Sequence, residues 1–273
     1  MKVAIIGAGY VGAAVARSWH DQGLTVTVTT TRSQRVAELE SIAQRVQVIR
    51  GEDADALGFV LQDQEVVLLS LGAPRADAYE ETYLRTAKTL AQILPRLPNL
   101  HQIIYTGSYA VYGDRQGNFV DENTPPQPAN CNGEILAETE QVLLSAVTDT
   151  RTVCIFRLGG IYGPGRELVR IFGRAAGTTR PGSGAEPSNW IHLEDIVGAI
   201  DFARTHALSG LYNLVQDNPP PVRELIDRVF AQHQLAPVVW DASQPSVRPY
   251  NAKVSNEKLK TAGYQFRHTT IEV

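Results

Sequence analysis

The stretch Gly7-Ala8-Gly9-Tyr10-Val11-Gly12 decides the fold of this 273-residue chain. It has the pattern G-x-G-x-x-G, and it lies between an apolar run at residues 2–6 and a helical pattern at residues 11–22. In that setting the first glycine allows a tight turn, the second lets a pyrophosphate approach the backbone, and the third lets helix and strand pack closely. The alternative is that the glycines serve only the turn. The strand and helix on either side favour a dinucleotide-binding loop.

Short runs of apolar or β-branched residues alternate with helical patterns along the chain, which is typical of a parallel sheet with crossover helices. The predicted strands are residues 2–6, 25–30, 46–49, 66–71, 102–106 and 152–157, and the predicted helices are residues 11–22, 33–44, 79–94, 133–146 and 222–232. Ser33 is the expected N-cap of the second helix. This order predicts a Rossmann-type, doubly wound α/β fold with strand order 3-2-1-4-5-6.

Beyond residue 158 the sequence becomes dense in glycine and proline, which mark loops. Examples are Gly159-Gly160-Ile161-Tyr162-Gly163-Pro164-Gly165 and the turn sequence at residues 217–221. We therefore expect residues 1–158 to form the cofactor-binding Rossmann domain and residues 159–273 to form a smaller substrate lobe. Residues 191–215 are expected to return to the Rossmann domain.

The composition argues against several classes of function. The formal net charge is −4 and no Lys/Arg cluster is dense, so no nucleic-acid partner is expected. No apolar run reaches the ~20 residues of a membrane span, and the first run is too short for a secretory signal. Cys131, in an expected loop, and Cys154, in an expected core strand, suit a reduced and unpaired state. The absence of a membrane span and of a secretory signal predicts a cytoplasmic protein. The six histidines lack ligand spacing, so no metal is expected.

The residues after the second predicted strand bear on the choice between NAD(H) and NADP(H). Dinucleotide-binding folds usually place an Asp or Glu about 20 residues after the glycines, where it accepts a hydrogen bond from the ribose 2′-hydroxyl. This chain has Thr30-Thr31-Arg32-Ser33-Gln34-Arg35 there, with no carboxylate before Glu38. Hydroxyls and forked guanidinium groups suit a 2′-phosphate. We therefore expect NADP(H), with NAD(H) as the alternative cofactor if the arginines are only solvated at the helix start.

Several further motifs follow one another along the chain. The first is Tyr105-Thr106-Gly107-Ser108-Tyr109-Ala110-Val111-Tyr112-Gly113. The others are Asp121-Glu122 with Pro125 and Pro128, Arg157 with Ile161-Tyr162-Gly163-Pro164-Gly165, Ile191-His192-Leu193-Glu194-Asp195, Tyr212-Asn213-Leu214, Arg248-Pro249 and Ala262-Gly263-Tyr264. Their joint order resembles the extended short-chain dehydrogenase/reductase superfamily, the NAD(P)-dependent epimerases and dehydratases. The resemblance covers nearly the whole chain and implies a Rossmann-fold oxidoreductase or epimerase.

One part of the family pattern is missing. In the family a catalytic Tyr, followed four residues later by a Lys, comes after the second proline of the Asp-Glu segment. One alignment puts Asn132 and Leu136 in those places, and an alignment shifted by two puts Asn130 and Glu134 there. Neither supplies the pair. The chain thus resembles an atypical bacterial subgroup that lacks it.

The resemblance and the strand ends together indicate site residues. Ser108, Tyr109 and Asn132 are the expected catalytic residues, although Ser108 could instead cap a backbone amide and Asn132 could be a helix N-cap. Tyr112 is expected to pack behind the loop, and His192 and Asp195 are expected to be structural. The expected cofactor contacts are Gly7, Gly9, Tyr10, Val11, Gly12, Thr30, Thr31, Arg32, Ser33, Leu71, Gly72, Ala73, Thr106, Gly107 and Gly159. The expected substrate contacts are Tyr162, Arg180, Trp190 and Arg248.

Two functions remain open at this point. The first is an NADP(H)-dependent oxidoreductase or epimerase-like enzyme for a small hydroxy, carbonyl or sugar-derived compound, with nonstandard acid/base residues. The second is a non-catalytic NADP(H)-binding sensor or scaffold, which the missing Tyr/Lys pair favours. A homodimer is expected through the helices at residues 79–94 and 133–146, as in many members of the family.

Overall fold

The computed structural model describes residues 1–273, which form thirteen strands and nine α-helices. The strands are β1 (Lys2–Ile6), β2 (Thr25–Thr30), β3 (Arg45–Val48), β4 (Val66–Leu69), β5 (Gln102–Ser108), β6 (Asp114–Val120), β7 (Thr152–Leu158), β8 (Gly160–Tyr162), β9 (Thr179–Pro181), β10 (Trp190–His192), β11 (Gly210–Leu214), β12 (Val239–Asp241) and β13 (Asn251–Val254). The helices are α1 (Tyr10–Asp21), α2 (Val36–Leu39), α3 (Ala54–Leu61), α4 (Thr86–Ile93), α5 (Cys131–Leu144), α6 (Leu168–Phe172), α7 (Leu193–Thr205), α8 (Val222–Gln232) and α9 (Glu257–Thr261). One turn of π-helix, Glu80–Arg85, leads into α4.

Seven strands form the main sheet in the order β11-β7-β5-β4-β1-β2-β3. The central neighbours β1, β2, β3, β4 and β5 pair in parallel. The predicted order 3-2-1-4-5-6 is therefore confirmed, with β7 as the sixth strand and β11 added beside it. β1 is buried from Val3 to Ile6 and β4 along its whole length, because helices cover both faces of a doubly wound sheet.

One helix prediction was wrong, and one helix was missed. The helix predicted at residues 33–44 is a 3₁₀ turn, Ser33–Arg35, followed by the single turn α2, and Ser33 begins the 3₁₀ turn where it was expected to cap the helix. The helix ends early because the chain after it makes other hydrogen bonds. The Ser41 hydroxyl donates to the Glu38 carbonyl, and the Gln44 side-chain oxygen accepts from the Val26 amide of β2. Helix α3 was not predicted, although its N-cap Asp53 accepts a hydrogen bond from the amide of Ala56.

The chain divides into two compact units. The first contains residues 1–108, 131–157 and 197–212, and it holds most of the main sheet with α1, α4 and α5. Its core lies between the sheet and helices α3, α4 and α5, and includes Leu57, Leu90 and Ile155. No helix in the chain combines the length and the apolar character needed to cross a bilayer.

The second unit contains residues 109–130, 158–196 and 213–273. Three two-stranded parallel pairs build it: β13 with β6, β10 with β8, and β12 with β9. Leu225, Ile226 and Val229 of α8 are buried against the sequence-distant Tyr162 and Ile271. Short strands and many turns here follow from the glycine and proline content that the sequence shows after residue 158.

Candidate cofactor and substrate sites

The glycine-rich loop joins β1 to α1 and has the geometry of a phosphate cradle. Gly7 has a φ of +96°, and a Cβ on it would lie 2.5 Å from the Ser70 carbonyl oxygen. A Cβ on Gly12 would lie 2.2 Å from the carbonyl oxygen of Gly7. A Cβ on Gly9 would meet nothing within 4 Å. Gly7 and Gly12 are therefore required for close backbone packing, and Gly9 keeps one face of the loop open to a ligand.

Helix α1 presents its N-terminus at this open face. Its N-cap is Gly9, no side chain caps its first amides, and no carboxylate lies in its first turn. The backbone amides at a helix N-terminus and the positive end of the helix dipole favour an anion there. The loop and helix thus fit the pyrophosphate of a dinucleotide, and Tyr10 and Val11 form the first turn of the helix beneath it.

The end of β2 carries the residues predicted to select the cofactor. The Thr30 hydroxyl accepts a hydrogen bond from the backbone amide of Arg32 at 3.2 Å, while the side chains of Thr31, Arg32 and Ser33 are exposed. Arg35, not Arg32, reaches the glycine loop, because its Nη1 donates to the carbonyl of Ala8.

The same guanidinium makes a two-pronged contact with Glu38. Arg35 Nε donates to one Glu38 carboxylate oxygen at 3.1 Å and Nη2 to the other at 2.7 Å. The hydrogen bonds to Glu38 raise the pKa of Arg35 above its ordinary value. Arg35 is therefore a permanent cation beside the glycine loop, partly neutralised by an exposed carboxylate.

The loops after β4 and β5 complete the cofactor side of the first unit. The Thr106 hydroxyl donates to the carbonyl of Leu69 at 3.3 Å, and the Tyr83 hydroxyl accepts from the amide of Ala73 at 3.3 Å. Leu71 and Ala73 are half-buried and Gly72 is exposed. A Cβ on Gly107 would lie 3.1 Å from the ring of Tyr105, so glycine is needed for the packing of this strand end.

Ser108 and Asn132, the two candidate catalytic residues of the first unit, lie at the end of β5 and at the start of α5. Ser108 is the half-buried last residue of β5. Helix α5 begins at Cys131, so Asn132 is its second residue and not its N-cap. Cys131 lies in that exposed first turn and not in a loop. Leu136 is 5% exposed and packs inward, so no cation follows Asn132 at the next turn of α5.

A buried ion pair that the sequence analysis did not predict lies one turn further along α5. Arg157 Nη2 donates to Glu140 Oε2 at 2.7 Å, and the side chains are 1% and 3% exposed. Burial raises the pKa of the Glu140 carboxyl, although the hydrogen bonds from Arg157 act in the opposite direction. The pair fixes α5, and with it Asn132, against strand β7. Spacing alone does not reveal it, because the partners come from different elements.

In the second unit, Tyr109 begins the loop after β5 and has a cation beside its hydroxyl. Arg248 Nη2 donates to Tyr109 Oη at 3.2 Å, and the Tyr109 ring meets Tyr250 edge-on with centroids 5.1 Å apart. Burial raises the pKa of Tyr109 to about 12, and the nearby Arg248 limits the rise. The sequence analysis found no cation for Tyr109, because 139 residues separate it from Arg248.

Three of the four expected substrate residues, Arg180, Trp190 and Arg248, line one cavity of the second unit. Its volume is about 240 Å³, and its walls also include Phe172, Glu186, Trp240 and Tyr250. The indole N–H of Trp240 is buried and has no hydrogen-bond partner. The cavity therefore combines aromatic walls with the side chains of two arginines and one glutamate.

Three other residues named in the sequence analysis are packed against or hydrogen-bonded to the protein itself. Tyr162 is 4% exposed, and its hydroxyl accepts from Gln216 Nε2 at 2.9 Å. The Tyr112 hydroxyl donates to Asn213 Oδ1 at 2.8 Å, which suits the expected packing role. A Cβ on Gly159 would lie 3.0 Å from the carbonyl of Asn189, so this glycine permits a close approach of two backbones.

The His192 and Asp195 pair holds the C-terminal segment in place. His192 precedes α7, as the sequence predicts, and Asp195 is fully buried. The Asp195 carboxylate accepts from the amide of Arg267 at 2.7 Å and from the amide of His268 at 3.0 Å. Tyr264 Oη donates to the Asp195 carbonyl at 2.8 Å.

Known proteins share the sequence pattern of this chain. Residues 3–214 match the NAD dependent epimerase/dehydratase family. Protein YeeZ of Escherichia coli (strain K12) is 34% identical over 224 residues, which cover 78% of this chain and 77% of that protein. The chain belongs to the NAD dependent epimerase/dehydratase family.

Solved structures share the fold at low sequence identity. A functionally unknown conserved protein from Silicibacter pomeroyi is 23% identical with a TM-score of 0.80, over 98% of this chain and 94% of that one. The UDP-glucose 4-epimerase of Thermus thermophilus, in complex with NAD, is 18% identical with a TM-score of 0.79, over 97% and 94%. Family membership makes a nicotinamide dinucleotide the cofactor, and the cradle at Gly7, Gly9 and Gly12 fits it.

Proposed function

We propose that this chain is an NADP(H)-dependent oxidoreductase that reduces a small carbonyl compound bearing an anionic group, sugar-derived compounds included. The observation that carries the proposal is the hydrogen bond between Tyr109 Oη and Arg248, at 3.2 Å, beside the arginine-lined cavity. It pairs a phenol with a fixed cation in a chain that has no Tyr/Lys pair on α5. The same pairing of acid and cation is what carbonyl reduction requires.

The preference for NADP(H) rests on charge at the end of β2. Arg32 and Arg35 are the cations of residues 30–38, and Glu38 is the carboxylate of that stretch. Arg35 already lies against the glycine loop through the Ala8 carbonyl. A guanidinium binds a phosphate through two parallel hydrogen bonds, which a ribose hydroxyl cannot match. We therefore expect a 2′-phosphate to bind more tightly than a 2′-hydroxyl.

Tyr109 is the proposed proton donor. A bound nicotinamide supplies or accepts hydride, and the substrate oxygen needs a proton when its carbonyl carbon is reduced. The phenol of Tyr109 keeps its proton at neutral pH because burial raises its pKa to about 12. It therefore acts as an acid, giving its proton to the oxygen. Arg248 then stabilises the phenolate until water reprotonates it.

The cavity of the second unit indicates the substrate class. Arg180 and Arg248 provide two cations, and Glu186 partly offsets their charge. A volume of about 240 Å³ lies below the ~300 Å³ at which pockets for drug-sized ligands begin. A small carboxylate or phosphate ester with a carbonyl group fits these features.

The test is a screen for NADPH oxidation by the purified chain with keto acids, keto sugars and sugar phosphates. For any substrate found, Ser108→Ala and Tyr109→Phe should each lower kcat by at least roughly tenfold, since general acid help contributes 10² to 10⁴ in rate. Tyr79→Phe, which removes a phenol from another part of the chain, is the matched control and should retain activity. Turnover that survives both changes would contradict this assignment.

A second function is favoured by one observation, the buried Leu136, which one of the two alignments puts in the place of the family lysine. A chain that binds NADP(H) without turnover is a sensor or scaffold. A broad screen that shows binding but no turnover would support it. The sensor would replace the enzyme if Asn132→Tyr combined with Leu136→Lys also fails to create activity.

A further inference from the structure

Two histidines and a carboxylate meet where α7 begins. His192 ends β10, Glu194 is the second residue of α7, and His268 lies in the C-terminal segment. One potential ligand atom of each lies within 4.8 Å of the other two. We propose that these three side chains bind a divalent transition metal of the zinc class. The sequence gives no sign of this site, because His268 lies 74 positions after Glu194.

His268 has the hydrogen bonding of a metal ligand. Its Nδ1 lies 3.0 Å from Glu272 Oε1, and its Nε2 lies 3.2 Å from Glu194 Oε2. Without an ion, each ring nitrogen is within hydrogen-bond distance of a carboxylate; with an ion in place of the Nε2 proton, Nδ1–H would still donate to Glu272 and the Nε2 lone pair would bind the ion. Metal-bound histidines commonly donate their second ring N–H to a carboxylate in this way, which fixes the ring and makes it a better ligand.

His192 lies in the same cluster, and its Nδ1 already accepts a hydrogen bond. The backbone amide of Glu194 donates to His192 Nδ1 at a long 3.3 Å, which puts the proton of the neutral ring on Nε2. The two imidazole rings are in contact, with centroids 3.8 Å apart. A metal ion at His192 Nδ1 would have to displace this long hydrogen bond, so the Glu194 amide would turn to water, while the ring proton would stay on Nε2.

The backbone around His268 is held from both sides. Asp195 accepts from its amide at 3.0 Å, and Gln216 Nε2 donates to its carbonyl at 2.8 Å. His192 is 9% exposed, and its ring lies edge-on to Tyr162 with centroids 5.1 Å apart. Two of the three ligands are thus fixed before any ion arrives, which lowers the entropic cost of binding.

Charge and ligand type point to zinc. Two carboxylates, Glu194 and Glu272, flank His268, and the nearest cation, Arg267, is 3.9 Å from Glu194. Two imidazoles and one carboxylate are a common protein ligand set for Zn²⁺, with water in the fourth position. Ligand atoms in a tetrahedral zinc site lie roughly 3.3 Å apart. The Glu194 side chain is 52% exposed, so it can rotate to close that geometry. A bound ion would join the C-terminal segment to the start of α7.

The test is isothermal titration of the full-length chain with ZnCl₂, after treatment with EDTA and removal of the chelator. The wild type should bind one Zn²⁺ per chain. Glu194→Gln and His268→Gln should each weaken binding by at least roughly tenfold, and Glu272→Gln by roughly 10- to 100-fold, as for other carboxylates that support a metal-bound histidine. His233→Gln, which changes an exposed histidine outside the cluster, is the control and should bind as the wild type does.

Co²⁺ provides a second measurement. A visible absorption band of nitrogen-coordinated Co²⁺ should appear in the wild type and be lost in Glu194→Gln, whose exposed side chain can change without affecting folding. The proposal is wrong if the wild type binds no stoichiometric Zn²⁺, or if Glu194→Gln and His268→Gln bind it as tightly as the wild type. If His268→Gln fails to fold, Glu194→Gln alone decides between these outcomes.

Discussion

Replacing Arg35 tests how the chain distinguishes NADPH from NADH. Arg35 is 17% exposed, contacts the Ala8 carbonyl of the glycine loop, and shares its other two donors with Glu38. In the proposed complex it binds the 2′-phosphate. Arg35→Ala should therefore weaken NADPH binding and leave NADH binding nearly unchanged.

The structure sets the expected size of this effect. A hydrogen bond to a charged group contributes about 1.5 to 3 kcal/mol, which is roughly tenfold to 100-fold in Kd. Because Arg35 already binds Glu38, part of that energy is used in the free protein, and we expect the lower end, roughly tenfold. Glu38→Gln should act in the opposite direction. The glutamate of that ion pair is largely exposed, so NADPH binding should tighten by less than Arg35→Ala weakens it.

Calorimetric titration with NADPH and NADH measures both effects. Arg32→Ala, which removes the other arginine of the segment, should cost on the order of 1 to 3 kcal/mol in NADPH binding if Arg32 also meets the phosphate. Arg17→Ala removes an exposed arginine of α1 and is the control. The reasoning fails if the wild type binds NADH as tightly as NADPH, or if Arg35→Ala weakens both cofactors equally.

Four further predictions follow from the same contacts. Glu140→Gln leaves the guanidinium of Arg157 buried without its charge partner, so urea denaturation should show a loss of about 3 to 5 kcal/mol; a loss below 1 kcal/mol would argue against a buried pair. Gly12→Ala puts a Cβ 2.2 Å from a carbonyl oxygen of the loop and should abolish NADPH binding in calorimetry, whereas Gly58→Ala in α3, with nothing within 4 Å of its Cβ, should not. The pKa of His268 is raised above 6.5, since its hydrogen bonds to Glu194 and Glu272 outweigh the lowering by burial. The protonated His268 side chain therefore stabilises the fold fully below pH 6.5, and this stabilisation is lost as the pH rises through the folded-state pKa. In urea denaturation with EDTA present, His268→Gln should be less stable than the wild type by about 0.5 kcal/mol at low pH and equally stable at high pH. An equal difference in stability at both pH values would refute this. We also expect a C₂ dimer through the π-helical turn, α4 and α5, and a monomer mass in light scattering would exclude it.

The fold was predictable because its signals are local. The G-x-G-x-x-G loop at Gly7 marks the strand before it and the helix after it, and β1 and β2 have the predicted bounds. Helix propensity and periodicity could not predict where the helix after Ser33 ends, because side-chain hydrogen bonds of Ser41 and Gln44 replace the helical ones. The start of α3 carries a local signal, the Asp53 N-cap, that apolar periodicity does not reveal.

The site was only partly predictable, because its decisive contacts join distant parts of the chain. Sequence order placed Ser108 and Tyr109 at the end of β5, but it could not place Arg248 beside the Tyr109 hydroxyl. The same holds for His192 and His268, whose rings meet where Asp195 and Gln216 bind the C-terminal backbone. Motifs are formed by residues close in sequence, whereas the partners that shift the pKa or the ligand properties of those residues come from distant segments that pack against them.

The most direct test of the proposed cofactor is a crystal structure after soaking with NADP⁺. The account predicts electron density for the pyrophosphate over Gly9 at the start of α1, and for the 2′-phosphate within hydrogen-bond distance of Arg35. Density absent from the glycine loop, or a 2′-phosphate that contacts neither Arg35 nor Arg32, would contradict it.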